Sequence, residues 1–194
     1  MRTKPSVLAP FFRSDAQGKI LAAILLAGAP EQPLTNVARD AAVPLTTVLR
    51  EVDRLEKAGV VRTRKLGQAR LVSADEAYPL AAPLAQIVAA TYGPLPAVED
   101  AFADLEGVEH LIVFGSWAAR LAGEPGRFPA DVDVLVVGEV SRVDAVERAI
   151  DAGQRVGREV NVTVVSPSRW KASDDGFIAD VKARPHVEIG GAVA

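Results

Sequence analysis

The sequence has no cysteine, which excludes disulfide bonds and thiolate metal sites and leaves the redox compartment undecided. It also has no long apolar run, because the stretch 20–29 is too short to span a bilayer. Residues 1–19 lack the apolar core and the small-residue cleavage site of a signal peptide. The two histidines match no metal-ligand spacing, and no internal repeat is evident. We therefore expect a cytoplasmic protein without a membrane partner.

Charge is distributed unevenly along a chain whose overall composition, 49% apolar and 24% charged, is typical of a globular protein. Residues 1–72 contain 12 Lys/Arg against 6 Asp/Glu, a net charge of +6. Residues 73–194 contain 10 against 19, a net charge of −9. This asymmetry predicts two domains with different partners, of which the basic half is the candidate for nucleic-acid binding.

The basic half predicts three helices and a β-hairpin. Ser14 and Gln17 have the spacing of a capping box at the start of the first helix. A second short helix covers 35–41, and a third begins with Pro44 at its first position and runs to Lys57-Ala58. The hairpin pairs the extended stretches 60–65 and 69–72 around a turn that contains Gly67.

The segment 44–61, which ends in Arg-Leu-Glu-Lys-Ala-Gly-Val-Val, resembles the recognition helix and wing entry of small bacterial winged helix-turn-helix repressors. The resemblance covers residues 15–72 and implies a transcriptional regulator that binds double-stranded DNA as a homodimer. N-terminal residues of a recognition helix reach base edges, whereas a basic wing suits phosphates or the minor groove. The alternative is a helical mini-domain that binds protein and carries solubilising charges. The candidate DNA-binding residues are Thr46, Thr47 and Arg50 for bases, Arg54 for phosphates, and Arg62, Arg64, Lys65 and Arg70 on the wing.

The second half contains a Gly-Ser pair and an Asp-x-Asp pair, each at the end of an apolar run. Gly115-Ser116 follows the predicted strand 111–114, and Asp131 and Asp133 open the next strand. The two carboxylates lie on one face of that strand and can share a divalent cation, for which Mg²⁺ with substrate phosphates is the candidate. The turn at Gly115-Ser116 leads into a helix whose N–H groups can hold a phosphate, with Arg120 one turn later facing the same anion.

Gly-Ser followed by a strand-borne Asp-x-Asp resembles the minimal nucleotidyltransferases of the DNA polymerase β superfamily, over roughly residues 95–190. The resemblance implies catalytic and metal-binding roles for Asp131 and Asp133, and nucleoside triphosphate binding by Gly115, Ser116 and Arg120. It also implies a third carboxylate on a later strand.

The position of this third carboxylate falls on Asn161. An amide can accept one metal bond but cannot act as a general base. Glu159 has the same strand parity and is the candidate substitute, although it lies about 7 Å away along the strand.

Three further segments complete the prediction. Residues 80–92 form a helix that either links the domains, pairs with its copy in a dimer, or packs in the core against the second domain. Residues 141–154 form a helix with Val143, Val146 and Ile150 facing inward. Trp117 either packs in the core or stacks on a base.

The sequence therefore predicts an α+β protein with a winged helix-turn-helix domain at 14–73, a linker helix at 74–94, and a nucleotidyltransferase-like domain at 95–191 whose mixed sheet is flanked by helices. We expect a DNA-binding transcriptional regulator whose second domain binds nucleotide and Mg²⁺ with weak or no transfer. Two alternatives stay open. One is an active Mg²⁺-dependent nucleotidyltransferase that modifies a protein, RNA or small-molecule hydroxyl, and the other is an antitoxin-like autoregulator with a toxin-type partner protein.

Overall fold

The structure, a computed structural model, describes residues 12–172 and 175–189. It has mixed α and β architecture, as the sequence predicts, and the chain divides into two compact units, Met1–Gly93 and Pro94–Ala194. Residues 1–11, on which the signal-peptide argument partly depends, lie outside the described ranges, as do residues 190–191 at the end of the predicted second domain. Within the described ranges, no helix combines the length and apolarity needed to cross a membrane.

The first unit combines helices with a three-stranded antiparallel sheet in the order β1-β3-β2. Strands β2 and β3 form the predicted hairpin, in which Leu66 pairs with Ala69 around Gly67. The described elements of this unit are α1 (Asp15–Leu25), β1 (Gln32–Pro33), α2 (Leu34–Asp40), α3 (Leu45–Lys57), β2 (Val61–Leu66), β3 (Ala69–Ala74) and α4 (Ala81–Tyr92).

A local sequence signal accounts for the start of α1. The Ser14 hydroxyl accepts a hydrogen bond from the Gln17 N–H at 3.2 Å, which satisfies a free donor in the first turn of α1. Pro44 was predicted inside α3, but it precedes that helix as its N-cap residue. Its extended backbone explains the difference, because a helix residue needs a negative ψ whereas the ψ of Pro44 is 140°. Strand β1 is too short for alternating hydrophobicity to reveal it.

Helix α4 packs on α1 within the first unit. A Cβ atom added to Gly18 of α1 would lie 2.1 Å from the Tyr92 ring, so the absence of a side chain at this position admits the ring. Val88 and Ala89 of α4 are fully buried. Residues 81–92 therefore pack against α1 of their own unit, a partner that the sequence did not predict.

The second unit contains a mixed four-stranded sheet in the order β6-β5-β4-β7. Strand β4 is antiparallel to β5 and β7, and β5 is parallel to β6. The described elements are α5 (Leu95–Phe102), β4 (Val108–Phe114), α6 (Gly115–Leu121), β5 (Asp131–Gly138), α7 (Arg142–Val156), β6 (Glu159–Val165), α8 (Pro167–Lys171), α9 (Gly176–Ala183) and β7 (Val187–Ile189).

Helix α7 buries a different face from the one predicted. Val143, Val146 and Ile150 are 67%, 47% and 54% exposed, so the prediction that they point inward is wrong. The buried face consists of small residues, Ala145, Ala149, Ala152 and Gly153. A Cβ added to Gly153 would lie 2.6 Å from the Arg158 carbonyl oxygen, which shows how closely the helix approaches the start of β6. Close backbone packing thus overrides the preference for burying the largest apolar side chains.

Candidate functional site

The two acidic residues Asp131 and Asp133 lie at the start of β5. The side chains between and after them, Val132 and Val134, are fully buried on the opposite face, which places both acids on the same side of the sheet. Asp131 is exposed and Asp133 is half-buried. Their neighbours are set by strand register, because Asp133 lies opposite Phe114 at the end of β4 and beside Asn161 on β6.

The Asn161 side chain joins the two carboxylates. Its Nδ2 donates to Asp131 Oδ2 and to Asp133 Oδ1, each at 3.3 Å. This contact follows from the parallel pairing of β5 and β6, since equal residue parity directs Asn161 to the face that carries both acids.

Glu159 lies beside Asp131 in the same register. Nevertheless, within residues 12–172 and 175–189 no three acidic, histidine or cysteine side chains come together as a metal-binding group. The set that the structure brings together is therefore Asp131, Asp133 and Asn161.

Gly115 and Ser116 turn β4 into α6 directly beside Asp133. Gly115 has a φ of +70°, a conformation that residues with a side chain rarely adopt. A Cβ atom at this position would lie 2.6 Å from Asp133 Oδ2. Ser116 is exposed at the start of α6, and the residue before the helix, Phe114, supplies no side-chain cap to the amide groups of its first turn. The predicted phosphate-binding turn thus lies next to the acids.

Arg120 is directed to the loop that follows α6. Its guanidinium donates to the Pro125 carbonyl oxygen and lies 4.0 Å from the Glu124 carboxylate. Gly126 packs against the same guanidinium, since an added Cβ would lie 3.2 Å from Arg120 Cζ. Arg120 therefore orders the loop between α6 and β5 in this structure, rather than standing free to meet an anion.

Trp117, which follows Ser116 in α6, and Arg158, which directly precedes β6, contact each other. Trp117 is 1% exposed and packs against Phe128 at 4.7 Å between ring centroids, so it belongs to the core and offers no face to a base. The Arg158 guanidinium lies 4.9 Å from the Trp117 ring and donates to the Pro129 carbonyl oxygen at 2.5 Å. Burial lowers the pKa of Arg158 from its ordinary value. Sequence reasoning missed this residue, whose signal in the sequence is its position directly before β6.

The second candidate site is the surface formed by α3 and the β2–β3 hairpin. Thr46 and Arg50 are exposed and Thr47 is half-buried, as expected for the first turns of a helix that buries Val48 and Val52 on its other face. Lys65 is exposed near the tip of the hairpin. In the described part of the chain, neither Arg50 nor Lys65 forms an ion pair.

The other four predicted DNA-binding arginines are engaged within the protein. Arg62 contacts Asp75 at 2.8 Å, and the remaining three pair with acids of the first unit. These pairs are Arg54 with Glu51, Arg64 with Glu31, and Arg70 with both Asp53 and Glu56. The sequence prediction assigned these four arginines to DNA and missed the acids that partly neutralise them.

Arg70, Glu56 and Thr63 form a network that fixes the hairpin on α3. Arg70 reaches Asp53 at 2.5 Å and Glu56 at 2.8 Å. Glu56 in turn accepts from the Thr63 hydroxyl at 2.6 Å and from the Thr63 N–H at 3.1 Å. The hydrogen bond from the Thr63 hydroxyl, together with the charge of Arg70, holds the pKa of Glu56 below its ordinary value.

Comparison with known proteins identifies no family for this chain. No family model matches it, and a search of curated proteins finds no significant relative.

Proposed function

We propose that the protein is a transcriptional regulator that binds duplex DNA as a homodimer through α3 and the β2–β3 hairpin. The observation that supports this proposal best is the exposed start of α3, with Thr46 and Arg50 outward and an exposed Lys65 on the following hairpin. A helix of this kind fits the major groove, where arginine can bond a guanine edge bidentately. The net charge of +6 on residues 1–72 favours a phosphate backbone as partner.

The DNA-binding proposal is tested by selection from randomised duplexes with the intact protein. We expect enrichment of a two-fold-symmetric sequence, because a homodimer presents two copies of α3. Arg50→Ala should lower affinity by about 1–3 kcal/mol for the selected site and relax preference at one base pair per half-site. Enrichment of no sequence at all would contradict the proposal.

The second unit, in the same proposal, binds a nucleoside triphosphate with Mg²⁺ and transfers it slowly or not at all. Asp131 and Asp133 supply the hard oxygen ligands that Mg²⁺ uses, and the Gly115-Ser116 turn supplies backbone N–H groups for phosphate. Mg²⁺ bound there would neutralise phosphate charge and connect the nucleotide to the protein. Asn161 cannot accept a proton from an attacking hydroxyl, so nucleotide is held without being consumed.

Calorimetry tests the second unit with each nucleoside triphosphate and Mg²⁺. We expect binding by wild type and loss of binding in the Asp131→Ala/Asp133→Ala double variant. A wild type that binds none of the nucleotides would contradict a nucleotide-sensing role, and leave the DNA-binding proposal to be judged on its own experiment.

An active nucleotidyltransferase is the second candidate, and the position of Glu159 favours it. Glu159 pairs in register with Asp131 and is exposed, so a rotamer change would bring a third carboxylate toward the two acids. Mg²⁺-dependent incorporation of label from a nucleoside triphosphate, abolished by Glu159→Gln, would establish this candidate. Its absence would favour the sensing role.

A further inference from the structure

The amide nitrogen of Asn161 bridges one oxygen of Asp131 and one oxygen of Asp133, as a cation shared by two carboxylates would. Asp131 Oδ2 and Asp133 Oδ1 each accept from the same nitrogen at 3.3 Å, so both N–H bonds of one NH2 group are used. The distance is slightly longer than is usual for N–H···O bonds, which indicates contacts that a stronger partner can displace. The strand register places Asn161 beside Asp133.

Electrostatics determines which end of the amide faces the acids. Ionised carboxylates only accept hydrogen bonds, so without a cation the NH2 end is attractive and the carbonyl end is repulsive. A divalent cation reverses this preference, because Mg²⁺ and Mn²⁺ bind oxygen ligands and repel an N–H group. The two ends have nearly the same shape, and rotation about the Cβ–Cγ bond exchanges them.

We propose that Asn161 is a built-in substitute for the cation, which holds Asp131 and Asp133 together in the free protein and must rotate its amide before a divalent cation binds. The inference deepens the proposed function of the second unit, since it concerns the cation that would accompany the nucleotide. It predicts a site that is assembled without metal and that binds metal weakly, because binding breaks two hydrogen bonds. The substitution Asn161→Asp would set a third negative charge beside both acids, and assembly of the site would then require the cation.

Nuclear magnetic resonance tests the free state, since the chain contains only two asparagines, Asn36 and Asn161. In protein labelled with ¹⁵N-asparagine, the Asn161 side-chain signals should differ between wild type and Asp131→Ala/Asp133→Ala, whereas those of Asn36 stay unchanged. Identical Asn161 signals in the two proteins would show that the amide does not bond the acids, and would overturn the proposal.

Manganese binding, followed by electron paramagnetic resonance without nucleotide, tests the competition. Asn161→Asp should bind Mn²⁺ more tightly than wild type by on the order of tenfold, because it adds a charged ligand and removes the competing NH2 group. Asn36→Asp adds the same charge in the first unit and should leave Mn²⁺ affinity unchanged. Equal affinity of wild type and Asn161→Asp, or no binding by either, would overturn the proposal.

The cation-substitute proposal and the nucleotide-binding proposal can fail independently of each other. If calorimetry finds no nucleotide binding while the Asn161 signals and Mn²⁺ affinities behave as expected, the amide is a cation substitute in a unit that does not sense nucleotide. If nucleotide and Mg²⁺ bind but Asn161→Asp gains no affinity for Mn²⁺, the nucleotide-sensing role is supported and the proposal that Asn161 substitutes for a cation is wrong.

Discussion

Gly115 and the carboxylate of Asp133 are in contact at the point where β4 ends and α6 begins. A Cβ atom at Gly115 would lie 2.6 Å from Asp133 Oδ2, and the backbone there has a φ of +70°. The glycine is therefore needed twice, once for the turn and once for the position of the acid. Contact with the backbone turn restricts the positions open to the Asp133 carboxylate, and a restricted side chain is better placed to bind a cation.

Gly115→Ala should damage both stability and cation binding. The positive φ costs about 1–2 kcal/mol for a residue with a Cβ, and the clash displaces the Asp133 side chain. Gly157 is the matched control, because it has a φ of +65° at the end of α7 and an added Cβ would meet nothing within 4 Å. Denaturation should show a loss of stability in both variants, whereas Mn²⁺ binding should weaken only in Gly115→Ala. Equal Mn²⁺ affinity in the two variants would contradict the contact.

Gly18→Ala should have opposite effects on stability depending on residue 92. In wild type the new methyl group collides with the Tyr92 ring and loosens α4 from α1. A Tyr92→Ala background removes the ring that the methyl group meets, and alanine should then stabilise α1 by up to about 1 kcal/mol through its helix propensity. A double-mutant cycle by denaturation measures the change of sign. A stabilising Gly18→Ala in both backgrounds would mean that the ring does not occupy this position.

The sequence predicted the elements around the acids because strong local signals mark them. The apolar run after Asp133 is buried on both faces, and Gly115 stands at a turn that only glycine accepts readily. The contact of Asn161 with the acids depends on the pairing of two strands that lie roughly thirty residues apart in the chain. Residue parity predicts the face on which Asn161 lies, but it does not predict the register that brings it beside Asp133. The prediction that Arg120 faces an anion depended only on its spacing from Ser116. Its contact with the Pro125 carbonyl depends on a loop that has no hydrophobic periodicity.

The faces of the helices show a further limit of sequence patterns. In α3, Val48, Val52 and Leu55 are buried, as an apolar stripe at helical spacing predicts. Leu49, which the same stripe includes, is 37% exposed, so the prediction that it is buried is wrong. In α7 the same reasoning failed, because β6 approaches so closely that only alanine and glycine fit between. Hydrophobic periodicity reports which residues prefer burial, whereas the distance between backbones decides which of them fit.

Replacing exposed residues of α7 should therefore change stability little. Ile150→Ser should alter the free energy of unfolding by no more than about 0.5 kcal/mol, as for other surface substitutions. Ala149→Leu, on the buried face, should cost about 1–3 kcal/mol through overpacking. Denaturation of both variants at low protein concentration measures the difference. A loss of several kcal/mol in Ile150→Ser would mean that this face is covered in solution.

The network around Glu56 should make stability depend on pH below the neutral range. The folded pKa of Glu56 is lowered, chiefly by the Thr63 hydroxyl, so its contribution is present above the unfolded glutamate value of about 4.3. The contribution is lost as pH falls through the lower folded pKa, because protonation then occurs in both states. Plots of unfolding free energy against pH should show a smaller acid-side slope for Glu56→Gln, and a reduced slope for Thr63→Val. An equal dependence of unfolding free energy on pH in wild type and Glu56→Gln would contradict the network.

Lys65 and Arg70 should affect DNA binding in different ways. Lys65 is exposed near the hairpin tip, so Lys65→Ala should reduce the dependence of log affinity on log salt by about one, as for one lost phosphate contact. Arg70 bonds Asp53 and Glu56 instead, so Arg70→Ala should weaken binding by loosening the hairpin while leaving the salt slope close to that of wild type. Arg70→Lys, which keeps the charge but cannot form the same forked contacts, should resemble Arg70→Ala. Titrations of a selected duplex across salt concentrations measure both quantities. A slope that falls equally in Lys65→Ala and Arg70→Ala would show that Arg70 leaves the two acids to bind phosphate, and the hairpin would then be a contact surface along its whole length.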